Sequence, residues 1–234
     1  GQVDGDGADV LLVRVAAGLE SQIIGEPHIL GQVGDAAAIA GKNRTAGPVL
    51  AALFRAAVHT GKRVRSETSL ARPDASFARA AVDYVRCALP ARPPPVVLLI
   101  GSGNLAGDVA ALLSELGPAD ILMVSRHSDR AVALAARYGA RAVNYENLSR
   151  HMAEVDVVIA CTFCARRPAI DASMLAARAR PLTIIDLGVP RNVDPLVSGL
   201  PHVNLRALSE ISIVPAPAAE AVWAAEHIVE RELV

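Results

Sequence analysis

Gly101-Ser102-Gly103-Asn104-Leu105-Ala106 sets two glycines and an alanine at the spacing of a strand-to-helix turn whose bare backbone N–H groups can face an anion. The first glycine permits a tight turn, the second admits a close approach, and Ala106 stands where a third glycine would seat the helix on the strand. About twenty residues on, an acidic side chain would hold a free ribose 2′-hydroxyl. There the sequence reads Ser125-Arg126-His127-Ser128. A carboxylate at that place repels a 2′-phosphate, whereas a guanidinium and two hydroxyls bind one. The chemistry favoured is therefore binding of a dinucleotide, NADP(H) rather than NAD(H). Gly101, Ser102, Gly103, Asn104, Leu105 and Ala106 would surround the pyrophosphate, and Ser125, Arg126 and Ser128 the 2′-phosphate. Flavodoxin-like and methyltransferase-like α/β domains use the same turn for other ligands. The strand before it and the helix after it favour the dinucleotide.

The elements that must position this turn follow from hydrophobic periodicity. Strands are predicted at 96–101, 120–125, near 141–145, 156–161, 182–187 and 202–206, and helices at 104–116, 128–138, 146–153 and 170–179. Such alternation requires right-handed crossovers and gives a doubly wound parallel sheet. Gly117 and Gly139 fall where helices should end in a left-handed residue. Strand ends line the crevice of such a sheet, which adds Cys161, Thr162 and Pro190 to the expected cofactor contacts. Asp186 and Arg191 face the same crevice; a carboxylate there is more often an anchor for a turn than an acid catalyst.

Before residue 91 the chain is rich in helix formers, interrupted at Gly18, Gly25-Glu26-Pro27, Gly31 and Gly61, with long helices expected near 29–42, 46–60 and 74–89. Pro90-Ala91-Arg92-Pro93-Pro94-Pro95 is stiff and breaks helices. The expected organisation is a leader at 1–8, a helical segment at 9–90, a proline linker at 91–95, a Rossmann domain at 96–214 and a final amphipathic helix at 215–234. The leader reads as flexible, as a processed end or as a remnant of expression. The final helix should lay its apolar face on the body or pair with a second copy, making a homodimer.

With 234 residues, 52% of them hydrophobic but only 3% aromatic, the core must be aliphatic and alanine-rich. A net charge of −1 removes any global electrostatic case for nucleic acid. No apolar run of about 18 residues and no signal-peptide pattern is present, which excludes a membrane span. Three cysteines, an odd number, fit a reduced cytoplasmic setting better than a disulfide framework. Cys161 and Cys164 form a C-x-x-C, but no spacing brings His151 or Cys87 in as further zinc ligands, so no metal site is expected. Cys161 reads as a small core residue at a strand end and Cys87 as core on a helix.

RVAAGLESQIIGEPHILGQ at 14–32 and GKRVRSET at 61–68 closely resemble signature stretches of the glutamyl-tRNA reductase family. The resemblance continues through GSGNLAG, the SR that follows the second strand, DVVIACT at 156–162 and IDLGVPRNVDP at 185–195, and covers roughly residues 9–234. It implies an NADPH-dependent reductase from a route to tetrapyrroles, in a family whose members begin with a further stretch carrying a nucleophilic cysteine and end with a dimerisation domain. Against that pattern the chain resembles the family's middle. Leu11 stands where the family places a histidine.

The resemblance also implies that Ser21 and Gln32 recognise the glutamyl group, although both residue types cap helices equally well. Glu26 can cap the helix that begins at Pro27. Lys62, Arg63 and Arg65, with Lys42, Arg44 and Arg55, form the only local concentration of positive charge. A solvated face is the favoured reading and tRNA contact the lesser one. Arg65 is a candidate for substrate binding, or pairs with Glu67 or the second domain. His28 and His59 are candidate proton donors beside Ser21. The leading expectation is an NADPH-dependent reductase acting on a preformed carbonyl, imine or carrier-bound acyl substrate. Reduction of glutamyl-tRNA itself, with missing parts supplied elsewhere, is the second, and an NADP(H)-binding pseudoenzyme that modulates a partner is the third.

Overall fold

The computed structural model describes residues 5–21, 23–70, 76–88, 94–116, 120–162, 167–176, 178–211 and 217–233. They form two compact units, one from 1–76 with 214–234 and the other from 77–213.

The second unit holds a six-stranded parallel sheet in the order β3-β2-β1-β4-β5-β6: β1 (Val96–Ile100), β2 (Asp120–Val124), β3 (Arg141–Ala142), β4 (Val157–Ala160), β5 (Leu182–Asp186) and β6 (Val203–Ala207). This is the doubly wound arrangement expected from the sequence, and it reverses direction between β1 and β4. The central strands are buried on both faces, so they read as continuous runs of Val, Ile and Leu. Leu98, Ile100, Val158, Ala160, Leu182 and Ile184 join one core with Leu148, Met152, Ile170, Leu175 and Val193. After β1, α5 (Asn104–Glu115) buries Ala106, Val109, Ala110 and Leu113, and α6 (Ser128–Arg137) buries Ala131 and Ala135. Gly139 takes the left-handed conformation after α6, with φ of +67°; Gly117 lies outside the described residues. A short helix, α7 (Leu148–Met152), precedes β4.

The predicted helix at 170–179 is instead a single 3-10 turn at Ala172–Leu175. The chain entering it runs extended beside the loop after β5: the N–H groups of Ala169 and Ile170 donate to the Asn192 carbonyl, and Ile170 bridges Val193 in parallel. The domain boundary also differs. The prolines suggest a break near 91–95, but α4 (Phe77–Ala88) lies in the second unit, its Ala78, Ala81, Val82 and Val85 buried. Tyr84 on α4 accepts hydrogen bonds from Asn204 and Arg206 of β6, both at 3.0 Å. Cys87, expected in the core, is exposed on α4 because the apolar stripe runs along the other face of the helix.

The first unit is helical: α1 (Gly5–Ala17), α2 (His28–Lys42), α3 (Pro48–Glu67) and α8 (Ala219–Glu232). Helix α1 starts inside the stretch expected as a flexible leader; burial of Val13, Ala16 and Ala17 outweighs the low helix propensity of Gly5 and Gly7. Gly31 and Gly61, read as interruptions, lie within α2 and α3. Gly61 is small because α3 crosses α1 there: a Cβ would stand 2.6 Å from the Ala16 carbonyl oxygen. Ala221, Ala225 and Val229 of α8 share one core with Val13, Ala16, Ala57 and Val64, so the final helix packs on its own body. Among the described residues no helix is long and apolar enough to cross a membrane.

Candidate functional site

The turn after β1 is held from two sides. The Gly101 N–H donates to the Val124 carbonyl at 2.8 Å, and the Cys161 N–H to the Ile100 carbonyl at 2.8 Å, so the ends of β2 and β4 flank it. Gly101 has φ of +134°, and a Cβ on it would lie 2.7 Å from the Cys161 carbonyl oxygen, so only glycine fits. Gly103, the residue before α5, has nothing within 4 Å of where its Cβ would be. A tight first glycine and an open second one at a helix N-terminus form a cradle for a pyrophosphate, and the residues present fit a dinucleotide.

Ser102 and Ser125 join through their hydroxyls at 2.9 Å, which ties the turn to the end of β2. Ser125 Oγ also accepts from the His127 N–H at 3.2 Å, setting the chain direction into α6. Arg126, His127 and Ser128 are exposed at that helix N-terminus, with Asp129 in its first turn. Leu105 is half-buried and Ala106 fully buried beneath the turn, while Asn104 is exposed.

Across the switch point, Cys161 and Thr162 are half-buried at the end of β4. Burial, with the Asp186 carboxylate adding to it, pushes the Cys161 thiol far above the ordinary thiol range. It is therefore held neutral, unlike an activated nucleophile. Cys164 lies outside the described residues. Pro190 is exposed in the loop after β5, where the Val189–Pro190 peptide is cis. Beneath that loop Asp186 is buried, and its carboxylate accepts from the N–H groups of Gly188, Asn192 and Val193. Asp186 is thus the anchor the sequence favoured. Asn192 was missed; it is fully buried and its Nδ2 donates to the Ala160 carbonyl at 3.2 Å. The only sequence signal for it is a Gly188-to-Asp194 stretch rich in turn formers.

The candidates in the helical unit are not gathered in one place. Ser21 is half-buried between α1 and α2. His28 and Gln32 lie one turn apart on α2, Gln32 exposed. His59 on α3 lines an open, mostly apolar cleft of about 520 Å³ with Arg55, Lys62, Phe54 and, from α2, Gly34, Ala37 and Gly41. At 100° per residue, Gly34, Ala37 and Gly41 occupy the face of α2 opposite His28 and Gln32. Arg65 donates to the carbonyls of Ala16 (2.8 Å) near the end of α1, Gly61 (2.9 Å) within α3 and Glu26 (3.0 Å) before α2, so its guanidinium ties three backbone segments together. Burial lowers its pKa, as expected for a cation enclosed by carbonyls. Glu67 pairs with Arg63, one turn away at 2.7 Å, and not with Arg65. Glu26 caps α2 as expected, accepting from the N–H groups of His28 and Ile29. Among the described residues no group of three potential metal ligands occurs.

Residues 3–68 match the family described as glutamyl-tRNAGlu reductase, N-terminal domain, and residues 94–214 match shikimate / quinate 5-dehydrogenase. Glutamyl-tRNA reductase 1 of Nocardioides sp. is 37% identical over 233 residues, covering 97% of this chain and 54% of that protein. Glutamyl-tRNA reductase of Desulforudis audaxviator is 38% identical over 230 residues, covering 95% and 52%. The solved glutamyl-tRNA reductase from Methanopyrus kandleri is 33% identical with a TM-score of 0.54, covering 98% of this chain and 60% of that one. A solved dipicolinate synthase from Bacillus halodurans, 19% identical with a TM-score of 0.53, shares the fold over 68% of this chain and 54% of its own. The chain spans about half the length of the curated relatives it matches.

Proposed function

This chain belongs to the glutamyl-tRNA reductase family, with residues 94–214 in the shikimate / quinate 5-dehydrogenase family, and from that premise we propose that it is an NADPH-dependent reductase of a preformed carbonyl, imine or carrier-bound acyl group. The observation that carries this reading is the clamped Gly101 beside the open Gly103 at the start of α5. NADPH, when bound, supplies a hydride to an electrophilic carbon. The backbone N–H groups of 102–104 receive its pyrophosphate, and Arg126, Ser125 and Ser128 its 2′-phosphate. Thr162 and Pro190 border the other half. Ser21 and Gln32 are the substrate contacts, and His28, on the same face of α2 as Gln32, is the proton source in preference to His59 on the opposite side.

A preformed electrophile needs no thiolate whereas acyl transfer from an aminoacyl-tRNA does, and burial raises the pKa of the Cys161 thiol at the end of β4. Reduction of glutamyl-tRNA is the second reading, favoured by 37% and 38% identity to proteins of that name. Following reduced-nicotinamide absorbance separates the readings. Oxidation of NADPH with glutamate semialdehyde or its cyclic imine, unchanged when all three cysteines are replaced, is the expected result. Oxidation only with charged glutamyl-tRNA, abolished by that replacement, would establish the second reading. NADPH binding without turnover on either would leave a cofactor-binding pseudoenzyme.

A further inference from the structure

We propose that Asp186 is a positioning residue that holds the loop 187–193 as a preformed wall for the nicotinamide half of the cofactor. The inference rests on the dinucleotide reading above. Asp186, the last residue of β5, is 1% exposed, and its carboxylate accepts from the N–H groups of Gly188 (3.0 Å), Asn192 (2.9 Å) and Val193 (3.0 Å). A buried carboxylate is costly unless fully hydrogen-bonded, and here the donors that satisfy it come from the loop that follows it. The loop is tied down elsewhere as well. Leu187 N–H and Asn192 Nδ2 donate to the Ala160 carbonyl at the end of β4, and the Asn192 carbonyl accepts from Ala169 and Ile170. Gly188 has no room for a side chain, because a Cβ would collide with the Asn192 amide.

This fixed frame presents Val189 at 74% exposure, with Pro190 and Arg191 also exposed. An apolar tip fixed in solvent gains nothing for folding, whereas a preordered loop spares a ligand the entropy of ordering it. Its place selects the ligand. In a doubly wound sheet the half that carries the glycine turn takes the adenosine side, and the half across the switch point takes the other nucleotide. The loop follows β5, in that second half.

The test compares NADPH with 2′-phospho-ADP-ribose, which keeps the adenosine, 2′-phosphate and pyrophosphate but lacks nicotinamide. Fluorescence or calorimetric titration should show that Asp186→Asn weakens NADPH about tenfold while 2′-phospho-ADP-ribose stays within about twofold. Equal loss of both would make Asp186 a merely structural residue and overturn the proposal, as would no loss of either. If Asp186→Asn does not fold, the exposed double variant Val189→Gly, Arg191→Ala decides: the same selective loss supports the loop's role, and unchanged NADPH affinity overturns it. Failure of the unmodified protein to bind either probe would instead defeat the dinucleotide reading, and this proposal with it.

Discussion

The strand-end crevice and the helical unit use their polar groups in opposite ways. In the crevice the groups left open are main-chain: the turn at 101–104 is a glycine-lined helix N-terminus, and the buried side chains near it, Asp186 and Asn192, are spent on shaping backbone. In the helical unit the side chains that look chemical in the sequence satisfy backbone instead. Arg65 takes three carbonyls and Glu26 takes the first N–H groups of α2. Helix ends leave unpaired donors and acceptors that something must satisfy, and in a small helical body buried charges do so. Charge in a helical stretch is therefore weak evidence of a site, and a glycine turn between a strand and a helix is strong evidence.

The largest expected effect comes from adding atoms at the crevice. Gly101→Val would put a Cβ 2.7 Å from the Cys161 carbonyl oxygen at a φ that disfavours side chains, and should cost about 3 kcal/mol or more. Denaturant unfolding measures it. Gly103→Ala has open space around its Cβ and should stay within about 1 kcal/mol of the unmodified protein while losing NADPH affinity at least about tenfold. If Gly103→Ala binds NADPH normally, no pyrophosphate passes over that residue and the contrast between the regions collapses.

Next in size is the helical side of the comparison. Arg65→Met keeps the length of the side chain but leaves the carbonyls of Ala16, Gly61 and Glu26 without their cationic donor, and should cost about 2 to 3 kcal/mol with NADPH affinity unchanged. Stability equal to the unmodified protein with turnover lost would return Arg65 to the substrate. The sequence alone could not have separated these outcomes, because Ala16 and Glu26 lie 49 and 39 residues from Arg65. The glycine turn was legible because strand, turn, helix and second strand are consecutive, and each step has its own local signal. The placement of α4 was not: it depends on Tyr84 meeting Asn204 and Arg206, 120 and 122 residues on, while the prolines between advertise a break.

A middle-sized effect tests charge at the crevice with no change in packing. Arg126 is exposed two residues before α6, so Arg126→Glu reverses the charge at that place. NADPH affinity should fall at least about tenfold while NADH affinity holds, since only the former carries the 2′-phosphate. Equal losses for both cofactors would place the 2′-phosphate elsewhere.

The smallest effect concerns Cys161 and bears on whether any thiol in this crevice is a nucleophile. Its native pKa lies above the ordinary value near 9, which the unfolded chain keeps. Below that value both states hold the proton and the group contributes no pH dependence. Above it the unfolded chain releases the proton and the native state does not, so stability falls as pH rises, by up to about 1.4 kcal/mol per pH unit until the native thiol ionises. Unfolding measured at about pH 8 and about pH 10 should therefore show a decline that Cys161→Ala reduces by about 1 kcal/mol. The change in slope isolates the thiol, because every other group that ionises in the same range is present in both proteins. An unchanged slope, with rapid alkylation of Cys161 in the native protein, would mean that the thiol ionises as freely as in the unfolded chain; the crevice would then hold an available nucleophile, and acyl transfer from glutamyl-tRNA would displace reduction of a preformed carbonyl as the favoured reaction.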